Sequence, residues 1–182
     1  MTWTIPGTVL TAQREDAVYV ERQFTSMFLG GGIVLSQVSA ITGLEPYTIQ
    51  NWVKREFLPA PEQKRYNLNQ LCRIILINML KNALPMEKIT SLISYVNGHL
   101  DETSDDLIDD AKLYFQFVRL AAMANPNISP EKWDNLLDSA LADYKEPVPG
   151  AKERVRTVLN IMLTAWFAAQ LRQKAETMLQ TL

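Results

Sequence analysis

From Ser36 onward, apolar side chains recur every three or four positions, and glycine or proline separates one run from the next. Helices meet that spacing and strands do not, so the chain is constrained to a mainly all-α fold. Ser36 suits an N-cap ahead of Val38, Ile41 and Thr42, and Gly43 suits the position just past a helix end. Leu44-Glu45 form a tight connection, and Pro46 fits the first position of a second helix running to about Phe57. The segment from Leu58 to Tyr66 is broken by Pro59 and Pro61. Asn67 with Gln70 is a capping-box pattern that opens a long helix from Leu68 to about Asn82. A fourth helix follows Pro85 and ends near Asn97-Gly98. Further helices are expected over Leu107–Ala124, after Ser129-Pro130, and over Ala151–Leu179, with breaks at Asn125-Pro126-Asn127 and Pro147-Val148-Pro149-Gly150. Ala12–Phe28 also has helical spacing, and Gly30-Gly31-Gly32 reads as a flexible turn. Only short segments flanking the second helix suit strands, enough for a small β wing.

Three parts follow: residues 1–32, a helical extension with its Gly-rich turn; 33–98, a compact unit holding the short helices; and 99–182, a helical domain. Charge divides along the same lines. Residues 33–98 carry seven Lys/Arg against four Asp/Glu, and 99–182 carry nine against thirteen. A mildly basic unit beside an acidic one suits a nucleic-acid contact at one end.

Several function classes are set aside by what the chain lacks. With one cysteine, Cys72, and one histidine, His99, no Ser-His-Asp or Cys-His arrangement is available, so no enzyme is expected. Cys72 has no intrachain partner, which fits a reducing, cytoplasmic compartment, and its pattern marks it as buried; His99 reads as a loop residue. Ile33-Val34-Leu35 follow the three glycines where a phosphate loop needs Gly-Lys-Ser/Thr, so no nucleotide cofactor is expected. The acidic run Asp101, Glu102, Asp105, Asp106, Asp109, Asp110 lacks the order of a calcium loop and suits the positive end of a helix, so no metal is expected. The uncharged stretch from Thr157 to Leu171 is about 22 Å long as a helix, short of the ~30 Å hydrocarbon core. No membrane span and no signal peptide are expected.

The second helix carries the functional signal. At about 100° per residue, Ile49, Trp52 and Val53 share one side, while Tyr47, Gln50, Asn51 and Lys54 share the other, flanked by Thr48 and Arg55. That outer face holds two amides and two cations and no acid. Asn and Gln amides pair with adenine N6/N7, lysine pairs with guanine O6/N7, and Lys54 and Arg55 could instead hold phosphates. Lys64-Arg65-Tyr66 supply a second cationic point. A solvated helix face explains the same pattern without any partner.

The stretch LSQVSAITGLEPYTIQNWVKREFLPAPEQKRYNLNQLCRIILINMLKNALPMEKITSLI resembles the winged helix-turn-helix domain of MerR-type regulators, through Gly43, Thr48-Ile49, Trp52, Leu58-Pro59, Arg65-Tyr66 and Ile89. The whole chain also resembles a bacterial domain-of-unknown-function family through its GGG, LSQVSAITGL, TIQNWVKR and YVNG…DD segments. The MerR resemblance implies double-stranded DNA as partner and DNA-binding roles for Tyr47, Thr48, Gln50, Asn51, Lys54, Arg55, Lys64, Arg65 and Tyr66. It also implies a homodimer formed through helices after residue 107. Gln50 and Asn51 stand where the relatives often have Arg and Tyr. Glu56 stands where they have Gly, so it is strained if that position needs a positive φ. The expected function is a sequence-specific transcriptional regulator binding a two-fold site as a dimer. The alternative is a protein-interaction module on the same scaffold without DNA binding. The aromatic group Tyr114, Phe115, Phe117, Trp133, Tyr144, Trp166 and Phe167 reads as core, with a small-molecule effector site unassigned.

Overall fold

The computed structural model describes residues 1–98, 100, 105–125, 127 and 129–181. The expectations placed on His99, on Asp101 and Glu102, and on Pro126 lie outside the described residues. Among the described residues the fold is mainly helical, as the apolar spacing requires.

The N-terminus departs from the expected helix over Ala12–Phe28. β1 (Thr2–Thr4) and β2 (Thr11–Gln13) pair antiparallel, with Trp3 opposite Ala12. A 3-10 turn over Arg14–Tyr19 and a short α1 (Val20–Ser26) follow. The hairpin forms because Trp3 and Ile5 alternate with exposed threonines and bury against the helices. Trp3 meets Trp166 edge-on at 6.5 Å, and Pro6 C=O accepts the Tyr114 hydroxyl at 2.9 Å.

Ile33–Val34 form β3, which leads directly into α2 (Leu35–Thr42). Ser36 is therefore inside the helix and not its cap. Val34 holds the cap position in extended conformation, and its N–H donates to Gln37 Oε1 at 2.9 Å. Gly43 is left-handed at φ 71°, as expected of a residue past a helix end. α3 spans Pro46–Lys54 and stops short of Phe57, because Glu56 turns to φ 58°. β4 (Arg65–Tyr66) returns to pair with β3, Ile33 opposite Tyr66 and Val34 opposite Arg65. Gly32 is more than a flexible turn: a Cβ there would sit 2.7 Å from Tyr66 C=O, so glycine is needed for the two strands to close.

α4 (Leu68–Leu80) opens with the expected capping box: Asn67 Oδ1 accepts the Gln70 N–H at 2.9 Å, and Gln70 Oε1 accepts the Asn67 N–H at 2.8 Å. It is the axis of the molecule, with Leu71, Cys72, Ile74, Ile75, Leu76, Ile77 and Leu80 all fully buried. Burial pushes the Cys72 thiol well above its ordinary pKa. α5 (Met86–Asn97), α6 (Asp110–Met123), α7 (Pro130–Ala140) and α8 (Ala151–Leu179) complete the chain. α6 begins three residues later than expected, where Asp109 Oδ1 caps it by accepting the Lys112 N–H at 2.8 Å. A single apolar core runs through the hairpin and α1 to α8, and the aromatic group joins it: Tyr114, Phe115, Phe117 and Trp166 are buried, and Trp133, Tyr144 and Phe167 pack at its edge. No helix of the described residues is long and apolar enough to cross a membrane.

Candidate nucleic-acid interface

α3 is fixed from beneath by Ile49 and Trp52, 0% and 6% exposed. Its outer face is left free: Tyr47, Gln50, Asn51, Lys54 and Arg55 are exposed, and Thr48 is half-buried. The Arg55 guanidinium lies over the Phe57 ring at 4.6 Å, which restrains it beside the helix end. Lys81 lies 5.9 Å over Trp52, and burial holds its ammonium below the ordinary lysine pKa. This cation beside α3 is not visible in the residue pattern, because its position depends on where the end of α4 falls relative to Trp52.

The hairpin tip Glu62-Gln63-Lys64-Arg65 closes with the Arg65 N–H on Glu62 C=O at 2.8 Å. Gln63 and Lys64 both have positive φ, 47° and 64°. Two left-handed residues in succession make the hairpin-compatible turn that usually takes Asn-Gly; here neither is glycine, and each carries a steric cost of roughly 1 kcal/mol or more. The turn holds Lys64 toward α3. Leu35, Gln50, Val53, Lys54, Pro61, Lys64 and Tyr66 line one groove of about 580 Å³. Gln50, Lys54 and Lys64 are thus brought together, whereas Tyr47, Asn51 and Arg55 lie outside the groove lining.

Two of the expected contact residues do other work. Tyr66 is 2% exposed and forms the groove floor; pairing with Ile33 turns its ring into the core, so it is a packing residue rather than a surface contact. Arg65 stays exposed, but its Nη1 donates to Gly32 C=O at 2.7 Å and ties the hairpin to β3. Among the described residues Lys54, Arg55, Lys64 and Arg65 form no ion pair, although Glu56 and Glu62 are close in sequence. Among the described residues no group of histidine, cysteine and carboxylate side chains is arranged to hold a metal ion.

The chain belongs to the family described as a domain of unknown function (DUF1836), whose model matches residues 23–117, from within α1 into α6. It is similar to the uncharacterized protein YkrK of Bacillus subtilis (strain 168), at 28% identity over 86 residues, 45% of this chain. That stretch is 37% of the relative's own length, so the likeness spans little more than a third of YkrK. No solved structure matches the chain. The family match overturns the resemblance to MerR-type regulators: the residues that carried it, 33–97, fall inside the DUF1836 match, and no MerR or helix-turn-helix family matches. Capped short helices joined by a Gly turn and a proline-broken hairpin are demands of local geometry, and unrelated families meet them alike.

Proposed function

We propose that the protein is a sequence-specific DNA-binding transcriptional regulator of the cytoplasm. In this reading α2 and α3 act as a helix-turn-helix, the β3–β4 hairpin acts as its wing, and a dimer binds a two-fold site. The observation that carries it is the grouping of Gln50, Lys54 and Lys64 around one groove, with these and the neighbouring cations unpaired among the described residues. An α-helix is about 10–12 Å across with its side chains, so α3 suits a major groove about 12 Å wide. Gln50 and Asn51 are the base readers, Lys54 reads guanine or holds a phosphate, and Arg55 and Lys64 hold phosphates on either side. No small-molecule cofactor enters this reading.

The apolar floor of the groove, made by Leu35, Val53 and Pro61, favours a second reading, in which the same groove docks an acidic, apolar protein segment. Selection from a pool of random duplex DNA at two salt concentrations separates the two. The regulator reading predicts one enriched pseudo-palindrome. It further predicts that Lys54→Ala with Lys64→Ala reduces the slope of log affinity against log salt by about 2, near 0.9 per lost phosphate contact, at unchanged melting temperature. Absence of enrichment, or a slope that ignores both lysines, overturns it in favour of the docking reading.

A further inference from the structure

The segment 57–61 joins the two cationic points of the interface, with Arg55 just before it and Lys64 just after. Its backbone cannot hold it in place alone. Pro59 and Pro61 have no N–H to donate, and among the described residues no backbone N–H reaches the carbonyls of Phe57, Pro59 or Ala60. Two side chains of α4 take those carbonyls instead. Gln70 Nε2 donates to Ala60 C=O at 2.9 Å and to Pro59 C=O at 3.3 Å. Arg73 Nε donates to Phe57 C=O at 3.0 Å, and the Phe57 ring carries the Arg55 guanidinium. Gln70 and Arg73 stand three residues apart, on one face of α4, and are both buried. Arg73 is held in turn from the C-terminal half. Its Nη1 donates to Asp110 Oδ2, and the other Asp110 oxygen accepts Asn97 Nδ2 at 2.8 Å. The next residue, Ala111, donates its N–H to Asn69 Oδ1 at 3.0 Å. The end of α5 and the start of α6 are thus bonded to the same turns of α4 that hold the segment 57–61.

We propose that Gln70 and Arg73 are the positioning residues of the interface, and that Asp110 places their hold under the control of α6. Both act through the segment 57–61, by fixing how far Lys64 stands from Arg55. Two cations held at a set separation meet their phosphates without the ordering cost that a loose connection adds on binding. A displacement at the start of α6 reaches the α3 face through one buried guanidinium, because Arg73 bonds Asp110 and Phe57 with different nitrogens of the same planar group. That the partner is DNA rests on the reading above, while the positioning is also measured without DNA.

Gln70→Glu separates the two tasks of that side chain. A glutamate keeps the capping box with Asn67 and loses the donor that holds Pro59 and Ala60. Hydrogen exchange of the full chain, read by mass spectrometry, should then quicken about tenfold over residues 57–66, with α8 exchanging as in the native chain. Arg73→Lys keeps a charge for Asp110 but lacks the planar fork, and should do the same should the added acid of Gln70→Glu disturb the fold. Asp110→Asn alters no atom that touches the segment, so faster exchange over 57–66 in that variant, beyond any in α8, is an effect that a merely local role of Asp110 does not produce. Affinity of Gln70→Glu for a mixed-sequence DNA duplex should fall about tenfold at an unchanged slope of log affinity against log salt, because every cation is still present. Native exchange over 57–66 in both Gln70→Glu and Arg73→Lys overturns the proposal, and native exchange there in Asp110→Asn overturns the part that includes α6. Faster exchange with undiminished duplex affinity overturns the positioning role. A native chain that binds no duplex overturns the DNA reading instead, and the exchange rates then decide the hold of α4 on the segment.

Discussion

Arg73 and Lys54 lie on neighbouring helices of the same half of the molecule and are treated in opposite ways. Arg73 is enclosed: its Nη1 donates to Asp110 Oδ2 at 3.2 Å and its Nε to Phe57 C=O at 3.0 Å. Around α6 and α8 the pattern repeats, with Lys112 on Asp109, Arg119 on Glu21, and Arg156 on Asp134 and Asp138. On the α3 face and hairpin, Lys54, Arg55, Lys64 and Arg65 meet no carboxylate among the described residues. Cations near α6 bind the fold's own acids, while among the described residues those of the α3 face and hairpin make no such pair. An ion pair made within the protein must be broken before the same cation can hold a phosphate, so this difference bears on the proposed function.

The comparison breaks most visibly at Arg73. Removing one partner of a buried pair costs about 3–5 kcal/mol, so Arg73→Ala should lower the melting temperature by roughly 10 °C. Burial already pushes the Asp110 carboxyl upward, with Arg73 and Asn97 pulling it back, so without Arg73 it moves further up and the buried charge loses its partner. Calorimetry checks this, and a drop under about 2 °C would place the pair among merely superficial contacts. Next in size is the reverse operation. Gln50→Glu places an acid four residues before Lys54, a favourable helix pair worth about 0.2–0.5 kcal/mol. Stability should hold or rise slightly while DNA affinity, read by fluorescence anisotropy, falls at least about tenfold (1.4 kcal/mol).

Asp106 tests the acidic side of the comparison through pH. Burial first, then Asp110, Asp105 and Asp109, push its carboxyl from 3.8 to about 6, against the pull of Arg73. The folded chain therefore keeps a proton that the unfolded chain loses between about pH 4 and 6. The group's contribution falls as pH rises through that window and is a net cost at neutral pH. Asp106→Asn should stabilise the protein at pH 7 by roughly 1 kcal/mol, discounted for partial exposure, and leave it unchanged near pH 4. Equal effects at both pH values would refute the assignment. The smallest effect is at Glu56, where glycine relieves the positive φ: Glu56→Gly should add about 0.5–1 kcal/mol in chemical denaturation and strengthen DNA binding by removing an acid beside Arg55.

Local chemistry made the centre of the fold readable. Gly43, Pro46 and the Asn67–Gln70 box each act within four residues, and each is found where those residues predict it. What was misread depends on distant pairing. Ser36 lost the cap because β4 draws Val34 into an extended strand, and Tyr66 became core because Ile33 lies opposite it. β1 has three residues, too few for alternation to stand out from helical spacing. The outer face of α3 was legible because Ile49 and Trp52 orient the helix from within it. The groove floor was not, since Leu35 and Pro61 arrive from outside α3.

The solitary, fully buried thiol of Cys72 in the second turn of α4 gives the molecule a clock of its own. A thiol reagent meets no other sulfhydryl in the chain and reaches this one only when α4 is uncovered. When reclosing outruns the chemistry, the labelling rate is the intrinsic thiol rate multiplied by the opening equilibrium constant. Because α4 is packed by both the N-terminal hairpin and α6, its exposure reports the opening of the whole core rather than fraying at an end. Labelling without denaturant, with and without a bound duplex, would therefore weigh a ligand's grip on the native state from a single native atom.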